Sequence, residues 1–255
     1  MSQPPWSPSF DFYMAEIDGD PASISLDLGA VEHVPVEDHP LRLALRIAMK
    51  RPRPDGLRST EEFDALAAIE DRLVESIGHE IEGWFVGRVL YRGSSDLFFY
   101  LPEPQSDDEE RLSSCVEAAQ GDYEITQRID EDPKWEFYTD FLWPDRASHQ
   151  AMGNRRVLGQ LEQAGDDHEL ARVIDHFAYF QNEAGCRRVA GRLREHGFTV
   201  DEPEQGEHGA WGLQFHREDQ LADGRIDEVT NEILELIGDD DGDYDGWGCP
   251  VRTKD

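Results

Sequence analysis

The sequence predicts an α+β fold in which the order strand, helix, strand, strand, helix, strand occurs twice, with the helices on one face of antiparallel sheets. Three observations predict it. The chain has 255 residues, more than a domain of ordinary size needs, so two domains of roughly a hundred residues or more are expected. Period-two alternation marks strands, most clearly at Leu41, Leu43, Leu45, Ile47 and Met49. Apolar series at helical spacing end at Gly78, Gly121, Gly197 and Gly238, residues that supply a left-handed stop.

In chain order, Phe10 to Ile17 and Ile24 to Leu28 read as a hairpin turning at Asp18, Gly19, Asp20 and Pro21. Leu41 to Met49 follows as a strand with one buried side. Ser59 with Glu62 has the spacing of a capping box ahead of Leu66, Ile69, Leu73, Val74 and Ile77. Gly83 to Tyr91 and Asp96 to Leu101 are strands joined through Arg92, Gly93, Ser94 and Ser95. Ser106 with Glu109 repeats the capping spacing ahead of Leu112, Cys115, Val116 and Ala119, and Tyr123 to Ile129 closes the series. This is the split βαβ order of ferredoxin-like domains. The most aromatic stretch, Trp135 to Trp143, then reads as core or inter-domain packing, with a ligand site as the alternative.

The second series begins after an amphipathic stretch from Ser148 to Gly165. Arg172 to Phe180 is a strand, Asn182 caps a helix with Cys186, Val189 and Leu193 on one face, and Phe198 to Asp201 is a short strand. An acidic loop spans Glu202 to Gly209. Trp211, Leu213 and Phe215 alternate in the next strand, and Asp223 precedes a helix carrying Ile226, Val229, Ile233, Leu236 and Ile237. Tyr244 to Val251 is the last strand. The expected division is residues 1–147, a connecting helix at 148–165, and residues 166–255.

Lys and Arg number 24 against 56 Asp and Glu, a net charge of −32 spread over both parts of the chain. Charge of this sign repels nucleic-acid phosphates and anionic lipid, which are bound through clustered Lys and Arg. It attracts basic protein segments; general solubility is the plainer explanation. Cys115, Cys186 and Cys249 form no close pair, so neither a disulfide framework nor a zinc knuckle is expected. Reduced thiols, and the lack of a leader or membrane-length apolar run, point to the cytoplasm.

Motifs for phosphate cradles, hydrolase elbows and zinc proteases are missing, so no catalytic residue and no cofactor is expected. His176 and His216 fall on strands that could be neighbours, and would make a metal site only with a third ligand. Asp241, Asp243, Asp245 and Gly246 match the first half of a calcium loop, but Arg252 stands where the bidentate Glu belongs.

The run Tyr244-Asp245-Gly246-Trp247-Gly248-Cys249-Pro250-Val251 resembles the C-terminal signature of the regulator of ribonuclease activity B family. Ile174 to Phe180 and Arg188 to Phe198 extend the resemblance over roughly residues 165 to 253. The first part resembles a bacterial domain of unknown function through Asp132-Pro133, Trp135, Tyr138 and Phe141 to Pro144. The resemblance implies a ferredoxin-like fold, and binding to the endoribonuclease RNase E with inhibition of RNA cleavage. Only four residues follow Val251, so the long acidic tail of some members is missing.

The expectation is therefore a non-catalytic regulator that binds a basic protein segment, with an RNA-processing enzyme as the candidate source, through Asp239, Asp240, Asp241, Asp243, Asp245 and Trp247. Carboxylates at a helix C-terminus are unfavourably placed and ask for solvent, a cation or a basic partner. Trp247, between two glycines, is either a buried indole or an exposed anchor. The alternative is a small-ligand protein or enzyme using a cleft between the domains.

Overall fold

The computed structural model describes residues 4–206, 209–240 and 242–253. They form two compact units, Met1–Pro144 and Asp145–Asp255. In the first, the elements are β1 (Phe10–Ile17), β2 (Asp20–Asp27), β3 (Leu41–Ala48), α1 (Phe63–Glu80), β4 (Trp84–Tyr91), β5 (Ser94–Leu101), α2 (Asp108–Gln120) and β6 (Ile125–Glu131). The sheet order is β1-β2-β4-β5-β3-β6, antiparallel throughout. From β3 onward this is the expected split βαβ domain, which the first hairpin extends at the β4 edge.

Both hairpins turn on two residues, Asp18-Gly19 and Arg92-Gly93, all four with positive φ. That backbone twist matches the strands it joins, so Asp20 and Ser94 already belong to strands where the sequence suggests longer turns. Leu43, Leu45, Ile47, Leu97, Phe99 and Leu101 bury one face of the sheet against α1 and α2.

Neither capping box forms. A short 3-10 turn, Thr60–Glu62, precedes α1, and Ser59 makes no side-chain cap bond. The Glu62 carboxylate instead accepts from the backbone N–H of Lys50 (2.8 Å) and Arg51 (2.7 Å) and from the Tyr123 hydroxyl (3.0 Å). Nor does Gly78 stop its helix, which runs to Glu80.

The aromatic run belongs to this unit's core. Trp135 is fully buried, stacks on Tyr100 at 3.6 Å and donates from Nε1 to the His39 carbonyl. Tyr138, also fully buried, donates to the Asp27 carbonyl. Packing inside the first unit accounts for Trp135, Tyr138 and Leu142, whereas Phe137 is half-buried and Phe141 exposed.

The second unit comprises α3 (Arg146–Gln163), β7 (Arg172–Phe180), α4 (Glu183–Glu195), β8 (Thr199–Val200), β9 (Glu204–Gln205), β10 (Trp211–Asp219), α5 (Arg225–Ile237) and β11 (Gly242–Gly248). Its sheet runs β11-β7-β10-β8, with β9 also paired to β10, again antiparallel. Helices α4 and α5 cover one face, burying Ala178, Phe180, Leu213 and Phe215 beneath Cys186, Leu193 and Ile233. Asn182 caps α4 by accepting from Gly185 N–H at 2.8 Å. The helix expected as a connector is part of this unit: the fully buried Asn154 of α3 donates to Asp227 (2.7 Å) and Thr230 (2.8 Å) of α5. No helix among the described residues is long and apolar enough to cross a membrane.

Candidate functional site

The acidic run and Trp247 lie on and before β11, an edge strand. Two glycines make its path possible. A Cβ on Gly242 would lie 2.3 Å from the Phe180 ring, and Gly246 takes φ +127° where the register slips past Asp245 in a bulge. Beyond the strand the chain is bolted down: fully buried Arg172 donates to the Pro250 carbonyl at 3.3 Å, and Arg252 N–H donates to Asp166 at 2.6 Å.

Trp247 is part of this scaffold. It is half-buried against Leu161, Ile174 and Ile226, and its Nε1–H donates to Asn154 Oδ1 at 2.7 Å. The indole therefore ties β11 to α3, which fits the structural one of the two alternatives for this residue.

The carboxylates divide. Asp240 accepts from Arg188 Nε at 2.9 Å and Nη2 at 2.5 Å, and from Arg192 Nη2. These arginines, one turn apart on α4, hold its carboxyl below the usual range, so the cation it asks for is internal. Asp239, Asp243 and Asp245 are exposed, and the Asp243 side chain is 95% accessible with Arg146 at 4.0 Å. Asp241 lies outside the described residues.

The two histidines are not paired. His176 is opposite Phe215 in the β7–β10 register while His216 is opposite Asp175, which sends the imidazoles to opposite faces. His176 is fully buried, with Nδ1 2.7 Å from the Tyr244 hydroxyl, and burial lowers its pKa to about 4. Among the described residues no three His, Cys, Asp or Glu side chains come together as a metal centre would need.

The face of this sheet away from α4 and α5 carries what sequence reasoning missed. Val173, Phe177 and Tyr179 alternate with the buried residues of β7 and are 44%, 37% and 49% exposed. Across the strands, Asp243 of β11 is opposite Tyr179, Tyr179 opposite Gly212, and Gly212 opposite Glu204 of β9. Directly opposed residues share a face, so one row runs carboxylate, aromatic ring, glycine, carboxylate. The Tyr179 ring lies over Gly212, 3.6 Å from where a Cβ would stand.

Beside this row the fourth strand is broken into β8 and β9, two residues each, by Asp201, Glu202 and Pro203. The break leaves an open groove of about 320 Å³ lined by Phe177, Tyr179, Asp201, Glu202, Glu204 and Gln214, among others. Glu202 is 3.7 Å from Arg187. Aromatic faces bordered by carboxylates suit a guanidinium or ammonium group. The sequence signal was the presence of apolar residues in both phases of Arg172–Phe180, whereas helices cover only one face.

Residues 9–143 match the model of a family of unknown function, DUF695. Residues 151–249 match the model of the regulator of ribonuclease activity B family. No curated protein matches the chain. Among solved structures, a protein described as a glycine cleavage system transcriptional repressor is 4% identical, with a TM-score of 0.27 over 83% of this chain and 98% of its own. An unknown protein from Galdieria sulphuraria is 9% identical, with a TM-score of 0.22 over the same shares.

Proposed function

We propose, for a chain that belongs to the DUF695 family through its first domain and carries a regulator of ribonuclease activity B domain in its second, that it is a non-catalytic regulator which binds a basic protein segment. The observation that carries the reading is the row Asp243, Tyr179, Gly212, Glu204 with the acidic groove beside it. An arginine or lysine laid on the Tyr179 ring would meet carboxylates from both edges of the sheet, a contact of about 0.5–2 kcal/mol per cation–ring pair. Negative charge over the rest of the chain speeds encounter with such a segment and turns RNA itself away.

The description of the second domain's family supports a ribonuclease as the regulated activity. The segment would then be a basic RNA-binding stretch of an endoribonuclease such as RNase E, and its capture in the cytoplasm would slow RNA cleavage by competition. Asp243 belongs to the binding surface with Asp239 and Asp245 at its edge, while Asp240 is taken up by Arg188 and Arg192 and Trp247 holds β11 in place. Titration of the full chain with an arginine-rich peptide at low salt tests this. Binding that weakens with added salt and with Tyr179→Ala is expected; absence of binding, or binding indifferent to Tyr179→Ala, refutes it.

A further inference from the structure

The first domain's sheet also has a face away from its helices, and that face has the opposite character. On β3, Leu43, Leu45 and Ile47 are buried under α1 and α2, which leaves Arg42, Ala44 and Arg46 on the other side. Register sets Ala44 between Phe98 of β5 and Arg128 of β6. A small floor is thus bordered by two arginines along its own strand, a third across the ladder, and an aromatic ring on the opposite side.

The wall over this floor comes from the π-helical turn Phe137–Leu142. Phe137 stacks with Phe141 at 4.9 Å and lies 4.5 Å from Phe98, while the Arg42 guanidinium sits 4.3 Å from the Phe137 ring. Together these residues enclose an open pocket of about 410 Å³.

Two carboxylates position the arginines. Asp130 pairs with Arg42 at 2.5 Å and with Arg128 at 2.7 Å, and Asp96 binds Arg46 through Nε at 3.0 Å and Nη2 at 2.6 Å. Three cations against two anions leave positive charge in excess at this pocket, in a chain whose net charge is −32. The Arg46 and Arg128 side chains are 62% and 76% exposed, so their guanidinium groups, held from one side, remain open to a ligand from the other.

We propose that this pocket binds a small organic anion carrying a planar unsaturated ring, up to the size of a mononucleotide. The guanidinium groups would take the phosphate or carboxylate in forked pairs, and Phe98 and Phe141 would take the ring by stacking. The inference is independent of the partner-binding reading of the second domain.

Calorimetric titration of the full chain with adenosine monophosphate and, separately, with indole-3-carboxylate tests it and separates the two sources of anion. Saturable binding of at least one, with Kd below about 1 mM, is expected; the ligand that binds identifies phosphate or carboxylate. Arg128→Gln should weaken that binding at least tenfold. Ala44→Leu should do the same by filling the floor while leaving every charge in place. Binding of neither compound, or undiminished binding in either variant, overturns the proposal. So does adenosine or inorganic phosphate binding as tightly as adenosine monophosphate, since then anion and ring are not read together.

Discussion

Replacing His176 by Phe should make the second domain less sensitive to acid. The imidazole is fully buried, stacked on Phe215 at 5.4 Å and edge-on to Phe198 at 5.8 Å. Burial is the main cause that lowers its pKa from 6.5 to about 4; Asp219 opposes this and Arg217 adds to it. Between those pH values the unfolded chain holds a proton that the folded chain does not, so stability rises with pH through this window. The loss is absent above the unfolded pKa, grows as pH falls through it, and saturates near the folded value at about 3 kcal/mol. At about pH 5 it amounts to about 2 kcal/mol. The variant keeps an aromatic ring but leaves the Tyr244 hydroxyl without its partner, at a cost of about 1–3 kcal/mol at all pH values. Hydrogen exchange of the β7 amides across a urea series, compared at about pH 7.5 and about pH 5, reads both effects. Wild type should lose about 2 kcal/mol more than the variant over that interval. An equal loss in both proteins, or an NMR titration of His176 centred near 6.5, would refute the reasoning.

Asn154→Leu removes the buried hub that receives the Trp247 N–H and donates to Asp227 and Thr230; thermal unfolding should show a loss of about 2–4 kcal/mol, and a loss near zero would remove the scaffold role given to Trp247. Asp240→Asn and Asp243→Asn should behave oppositely in binding to a basic peptide. Asp240 is committed to Arg188 and Arg192, so its variant should bind the peptide as wild type does, whereas Asp243→Asn should weaken binding several-fold; the reverse pattern would relocate the surface.

The repeated strand and helix order was legible because it rests on periodicity, which Leu41 to Met49 and Ile226 to Ile237 carry in the chain itself. The Asn182 cap was legible too, but the Ser59–Glu62 box was not, because Ser-x-x-Glu spacing cannot reveal that tertiary donors claim the glutamate; the amides of Lys50 and Arg51 take Glu62. The same limit applies at the site. Charge marked the stretch from Asp239 to Asp245 as notable, yet one aspartate is neutralised by arginines on α4 and another stands beside Tyr179, a difference created by loop path and strand register. Trp247 stood out by composition, but its partner Asn154 lies on a helix 93 residues away. The Tyr179 face was hidden for a related reason: a strand with apolar residues in both phases looks like a buried strand until the helices are seen to cover only one side.

The most direct test of the central claim measures both binding and cleavage with one variant. The full chain should slow RNA cleavage by an endoribonuclease that carries a basic RNA-binding segment and should bind that segment in low salt, and Tyr179→Ala should weaken both together, by about two- to thirtyfold. Cleavage slowed equally by wild type and Tyr179→Ala, or a chain that binds no such segment, would contradict the account.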